Sequence, residues 1–118
     1  MKSIVLLASL TLATNAFAGE CKSDPELVGT CFVVHGRMYN ANGGSLARIW
    51  KIGTKRILGV VSHSLPPNVQ PLMENFEGQV VADFLVCPFT REKPGKMRLV
   101  CVESAANIRP IPAGPAPK

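Results

Sequence analysis

The chain has 118 residues, with 13 basic against 8 acidic side chains (net +5), 47% hydrophobic residues, 10 glycines, 10 prolines and 4 cysteines. That length holds one small domain and excludes two. The mild basic excess suits solubility, or weak attraction to anionic polymers and membrane surfaces, and no run of five like charges marks a nucleic-acid tail.

Residues 1–18 have the three-part layout of a secretory signal. Lys2 is the positive start, 4–12 is an apolar stretch, and Ala16 and Ala18 place small residues before a cleavage point at Ala18-Gly19. The apolar stretch is too short for a bilayer span, which needs about 20 residues, so no stable membrane anchor is expected. A lipoprotein signal needs a small residue directly before the modified cysteine, and Glu20 precedes Cys21. Removing 1–18 takes away only Lys2 among the charges and leaves 100 residues, 12 of them basic and 8 acidic, at +4. The expected compartment is the periplasm or the medium.

In that setting Cys21, Cys31, Cys87 and Cys101 read as two disulfides. No Cys-x-x-Cys pair occurs and neither His35 nor His63 sits at metal-finger spacing, so no metal and no cofactor are expected.

The remaining apolar residues come in short bursts between Gly, Pro and Asn, a β rhythm. A first strand is predicted over 31–39, a turn over 40–44 and a second strand over 46–52. A tight loop follows at Gly53 and Thr54, then a third strand over 55–61. A longer connection over 62–79 carries one short helix, 71–77, with Pro at its start and Gly78 past its end. A fourth strand over 80–89 and a fifth over 97–104 flank a turn in which Pro94 and Gly95 suit the centre of type II geometry. From Ile108 onward four prolines in eleven residues predict an extended, disordered tail, 108–118, behind a single disulfide-bonded β-domain, 19–107. Five strands with a helix between the third and fourth is the order of an OB-like, partly open barrel, an all-β fold with small α content.

Sequence leaves three cysteine pairings open. Cys87 and Cys101 lie seven residues either side of Pro94 and stand opposite one another in a hairpin centred there. That favours Cys87–Cys101 with Cys21–Cys31. The alternative is Cys31–Cys87 with Cys21–Cys101, if the first and fourth strands are neighbours.

The loop at Gly53 and Thr54 sets a register. Trp50 faces Ile57, Ile49 faces Leu58, Arg48 faces Gly59, Ala47 faces Val60, and Lys51 faces Arg56. Ala47, Ile49, Leu58 and Val60 then share the core side. Arg48 and Trp50 share the other side, with Gly59 leaving a gap opposite Arg48. A flat aromatic ring beside a guanidinium can stack a sugar or base and hold an anion, and OB folds bind ligands on the face of strands two and three. Tyr39, Lys51, Lys55 and Arg56 extend this candidate face. The competing reading is plain packing, with the Arg48 stem laid over Trp50 and Gly59 serving as a bend. Like charges at Lys51 and Arg56 cost about 0.2–1 kcal/mol when directly opposed, which an anionic partner or splayed side chains would relieve.

His35 is expected to be half-buried and hydrogen-bonded, His63 to lie in a loop, and Asp83 to be buried and paired, an arginine being one candidate partner. No serine elbow and no paired acid and base carboxylates are present.

Three segments together resemble a group of short, uncharacterised exported proteins of Gram-negative bacteria. They are Cys31-Phe-Val-Val-His-Gly-Arg37, Arg48-Ile-Trp-Lys-Ile-Gly-Thr-Lys-Arg-Ile-Leu-Gly59 and Val86-Cys-Pro-Phe-Thr-Arg-Glu-Lys-Pro-Gly95, the last running on to Val100-Cys-Val-Glu-Ser104. The resemblance covers most of the domain, implies the periplasm, and brings no activity, cofactor or catalytic residue.

The function expected is an exported, non-enzymatic binding or interaction module for an anionic or glycan ligand. The alternative is an inhibitor or accessory protein that docks on a larger envelope or secreted enzyme. A small hydrolase using His35 or Asp83 is a third reading. The partner expected is an anionic polymer, a glycan or an envelope protein, with no nucleic acid in vivo.

Overall fold

The computed structural model describes residues 20–40, 47–74 and 78–111. The expected signal over 1–18, its cleavage point, most of the turn over 40–44, the end of the expected helix and residues 112–118 lie outside the described residues.

One 3-10 turn, Cys21–Ser23, precedes five strands and a short helix: β1 Phe32–Asn40, β2 Ala47–Lys51, β3 Ile57–Val60, α1 Gln70–Met73, β4 Gln79–Pro88 and β5 Arg98–Ile111. The strands form a closed barrel in the order β1-β2-β3-β5-β4, in which β3 and β5 are parallel and the other pairs antiparallel. This is the small all-β, OB-like barrel the sequence predicts, except that it is closed rather than partly open. Closure comes from the long β1/β4 ladder, which runs from Phe32↔Val86 to Tyr39↔Gln79 and leaves neither strand an unpaired edge.

Strand alternation explains which residues fill the barrel. Val34 and Met38 of β1, Ala47 and Ile49 of β2, Leu58 and Val60 of β3, Val80, Ala82, Phe84 and Val86 of β4, and Val100 and Val102 of β5 form one buried cluster. Gly36 takes its place on the inward side of β1, where a Cβ would stand 2.5 Å from Ile49 Cγ2 and 2.9 Å from the Trp50 carbonyl oxygen. Absence of a side chain there lets β2 close down on β1. Val69 and Met73 bring the α1 segment into the same core.

The loop register holds as predicted: Ala47↔Val60, Arg48↔Gly59, Ile49↔Leu58 and Trp50↔Ile57, with Lys51 N–H donating to Arg56 C=O at 3.0 Å. Gly53 sits at φ +88, which a side chain disfavours. The turn at Pro94 and Gly95 also forms, with Gly95 at φ +76 and Lys96 N–H donating to Lys93 C=O at 3.2 Å.

Two expectations are corrected. The disulfides are Cys21–Cys101 and Cys31–Cys87, the alternative pairing that neighbouring first and fourth strands allow, not the favoured Cys87–Cys101 with Cys21–Cys31. Cys87 and Cys101 are opposed in the β4/β5 ladder as the hairpin predicts. Barrel closure, however, brings Cys31 opposite Cys87, one step beyond the Phe32↔Val86 pair, and Cys21 in the 3-10 turn reaches Cys101. Secondly, the tail does not begin at Ile108. β5 continues to Ile111, with Val81↔Arg109, Val80↔Pro110 and Gln79↔Ile111. Beyond Val100 this strand is paired only with β4, so Pro110 sits where a missing N–H breaks no second ladder.

The disulfides fasten the segment 20–31 as a strap on the outer surface of β4 and β5. Cys21, Cys87 and Cys101 form a second buried cluster there, packed by Leu27, Cys31 and Phe89. Lys22 N–H donates to Glu103 Oε1 at 2.9 Å, which gives the carboxylate, only 5% exposed, a strap partner. Val28 N–H donates to Pro88 C=O at 2.9 Å.

Candidate functional site

The outer face of β1 and β2 assembles three of the predicted residues and adds a fourth. Tyr39 stands opposite Arg48, and Arg37 opposite Trp50. Two aromatic rings and two guanidinium groups thus alternate on neighbouring strands, all half-buried. The Trp50 indole N–H donates to Thr54 C=O at 2.7 Å, which ties the ring to the β2–β3 hairpin tip. Arg37 Nη1 donates to Gln79 Oε1 at 3.4 Å. Neither arginine has a carboxylate within ion-pair distance among the described residues. The Nε–H of each is buried with no hydrogen-bond acceptor among the described residues.

The strand 2/3 half of the predicted face changes. Gly59 leaves no open gap: a Cβ there would lie 2.9 Å from Met97 Cε and 3.1 Å from Leu99 Cδ2, so those side chains already cover it. Arg56 is engaged within the protein, 2.7 Å from Glu92 and donating from Nη1 to Lys96 C=O at 3.3 Å. Glu92 therefore offsets the like charge of Lys51 and Arg56, and no outside anion is required. Lys51 and Lys55 are exposed at the hairpin tip. Arg98 packs its guanidinium 5.0 Å above the Phe32 ring and donates from Nε to Thr90 C=O at 3.1 Å. Arg37 is the residue missed by sequence reasoning. Its parity matches Tyr39, but six residues separate the paired Asn40 and Ala47, so the Asn42-Gly43 turn signal does not fix the β1/β2 register by counting.

His35 and Asp83 meet across β1 and β4, with His35 Nδ1 at 2.8 Å from Asp83 Oδ1. Asn107 Nδ2 donates to Asp83 Oδ2 at 2.8 Å from a left-handed position, φ 54. Asp83 is thus only part-buried and takes a histidine and an amide, not an arginine. His35 is hydrogen-bonded as expected, but its side chain is 60% exposed rather than half-buried.

His63 does lie in a loop, and the loop is a clamp. His63 Nε2 is 2.7 Å from Asp24 Oδ2, Nδ1 is 3.8 Å from Glu20 Oε1, and the ring stacks on Phe89 at 6.4 Å. Ser62 at φ 81 and His63 at φ 68 hold consecutive left-handed conformations, uncommon for residues with a side chain. The fold thus accepts local backbone strain where it ties the strap down.

Two carboxyl groups are held below their ordinary pKa of 3.8: Asp24, by the Glu26 backbone N–H first and then His63, and Asp83, by the Asn107 amide first and then His35. A carboxyl with a lowered folded pKa stabilises the fold above its unfolded value and loses that contribution as pH falls through the folded value. The urea midpoint is therefore expected to drop as pH is lowered below about 4. Asp24→Asn/Asp83→Asn should flatten that acid limb relative to wild type, and an equally steep limb would disprove the assignment.

The sulfurs of Cys21, Cys87 and Cys101 lie within 4.8 Å of one another, the spacing of a metal site, but each is in a disulfide and none offers a thiolate. Among the described residues no helix is long and apolar enough to cross a membrane.

Fold and site together describe a disulfide-stapled, OB-like barrel with a basic, aromatic outer face. Comparison of the chain with protein-family models, with curated proteins and with solved structures gives no match.

Proposed function

We propose that this is an exported, non-enzymatic binding module that holds an anionic ligand, a glycan above all, on the outer face of β1 and β2. One observation carries the reading: the alternation of Arg37, Tyr39, Arg48 and Trp50, with neither guanidinium neutralised by a carboxylate among the described residues. Packing alone gives a weak reason to set two half-buried arginines on neighbouring strands with no carboxylate beside them. A sulfate or carboxylate bridging their outer N–H groups gives a strong one, because charge-assisted bonds are about twice as strong as neutral ones. Tyr39 and Trp50 supply flat surfaces for a sugar ring. Export is supported by the signal-like residues 1–18 and by the pairing of all four cysteines in disulfides.

The test uses Trp50 as its own reporter, since it is the only tryptophan. Titration with a heparin disaccharide should change its emission saturably. Arg37→Ala/Arg48→Ala should weaken binding at least about tenfold, two charge-assisted contacts being lost, with little change in melting temperature. An unchanged titration in that variant would refute the assignment. Capture of one protein partner with no response to anionic glycans would favour the accessory-protein reading.

A further inference from the structure

A second surface lies where the β4–β5 turn meets the strap. Val28, Phe89, Arg91, Lys93, Lys96 and Met97 border an open cleft of about 390 Å³. Three features distinguish it from an ordinary solvated loop.

The first is charge. Arg91, Lys93 and Lys96 have no ion-pair partner among the described residues. Glu92, the acidic residue in their midst, is drawn away to Arg56 at 2.7 Å and Arg98 at 4.0 Å. Three cations are therefore left without local compensation. The second is apolar exposure. The exposed large hydrophobic residues of the described chain are Val28 (37%), Val33 and Met97 (38%), and two of these three flank this cleft. The third is rigidity. The tip is a tight turn around Pro94 and Gly95, and Thr90 closes its base by accepting Leu99 N–H on Oγ1 at 2.9 Å. The Val28 side is held by its bond to Pro88 and by the two disulfides.

Apolar side chains presented beside unpaired cations on a tight, hydrogen-bonded turn match the chemistry of a membrane interface. Headgroup phosphates take the lysine and arginine charges, while short apolar side chains enter the acyl boundary. We infer that the β4–β5 turn and the Val28 edge of the strap form a reversible docking surface for a bilayer of anionic lipid. Rigidity matters because no loop ordering then opposes binding. Met97 also lies over Gly59, opposite Arg48, and so adjoins the β1–β2 face, but Arg91, Lys93, Lys96 and Val28 belong to this surface alone.

The test is co-sedimentation of the disulfide-bonded protein, recovered after export, with vesicles of mixed phosphatidylglycerol and phosphatidylcholine or of phosphatidylcholine alone. The anionic vesicles should bind it at least about tenfold better. A surface lysine contributes about a fivefold factor near such a membrane, so Lys93→Gln/Lys96→Gln should weaken binding about 25-fold. Val28→Ser should reduce the part of the binding that survives about 0.5 M salt, where surface charge is screened. Arg37→Ala/Arg48→Ala should bind vesicles as wild type does. Several results would overturn the inference: equal binding to both vesicle types, no effect of the lysine pair, or loss in the Arg37/Arg48 variant. So would full competition by millimolar glycerol phosphate, which would indicate a pocket for a free anion, or preferential binding of an acidic peptide.

Discussion

Replacing Cys21 and Cys101 together by alanine is expected to lower the stability of the barrel by about 4 kcal/mol, and replacing Cys31 and Cys87 by nearly as much. The magnitude follows from the chain closed by each bridge: the sequence separations are 80 and 56 residues, and the entropy removed from the unfolded chain grows with the logarithm of that length. A domain of this size has roughly 5–15 kcal/mol in total, so one bridge is a large fraction of it. The expected fall in melting temperature is about 15 °C or more. Thermal unfolding under non-reducing conditions measures it. Peptide mapping without reduction should recover Cys21 joined to Cys101 and Cys31 joined to Cys87. A Cys87–Cys101 peptide, or a melting temperature within a few degrees of wild type in either double variant, would contradict the account.

The second large effect is expected at Phe84. This side chain is fully buried in β4 and heads the fully buried residues by volume. It lies in the cluster to which all five strands contribute, so neighbours on every side are held by ladder hydrogen bonds and collapse little. Phe84→Ala should therefore cost about 3–5 kcal/mol, the transfer loss plus an unfilled cavity. Phe84→Leu should cost much less, because volume is mostly conserved. Urea unfolding of the two variants checks this. A cost below about 1 kcal/mol for the alanine variant would mean that the barrel interior is not packed as described.

The barrel was legible because its strongest signals are local. Gly53 and Gly95 sit at positive φ in turns that the neighbouring residues already announce, and the register then follows by counting outward from the loop. Disulfide connectivity was not legible from the same counting. Opposition of Cys87 and Cys101 is a property of one hairpin, whereas Cys31–Cys87 depends on β1 finding β4 across the closed barrel, a non-local event. The length of β5 was hidden for a related reason. Prolines at 110 and 112 look like a tail in isolation, and only the single-sided pairing with β4 makes Pro110 admissible in a strand.

The candidate face was half legible. Arg48 and Trp50 came from the hairpin register, and Tyr39 from proximity. Arg37 required the β1/β2 register, and the filling of the Gly59 gap required knowing that Met97 and Leu99 fold across from the β4–β5 side. Asp83 was marked as unusual by lying among apolar residues, but its partners His35 and Asn107 are 48 and 24 residues away, beyond any local pattern.

The central claim is that ligand is held on the outer face of β1 and β2. Amide and indole chemical-shift mapping of the labelled protein, titrated with a heparin disaccharide, tests it most directly. The account predicts the largest shifts at Arg37, Tyr39, Arg48 and Trp50, with the Trp50 indole N–H among them because it is anchored to Thr54 at the edge of the face. Shifts centred instead on residues 89–97 or on the His35 and Asp83 cluster, or no saturable shifts at all, would contradict it.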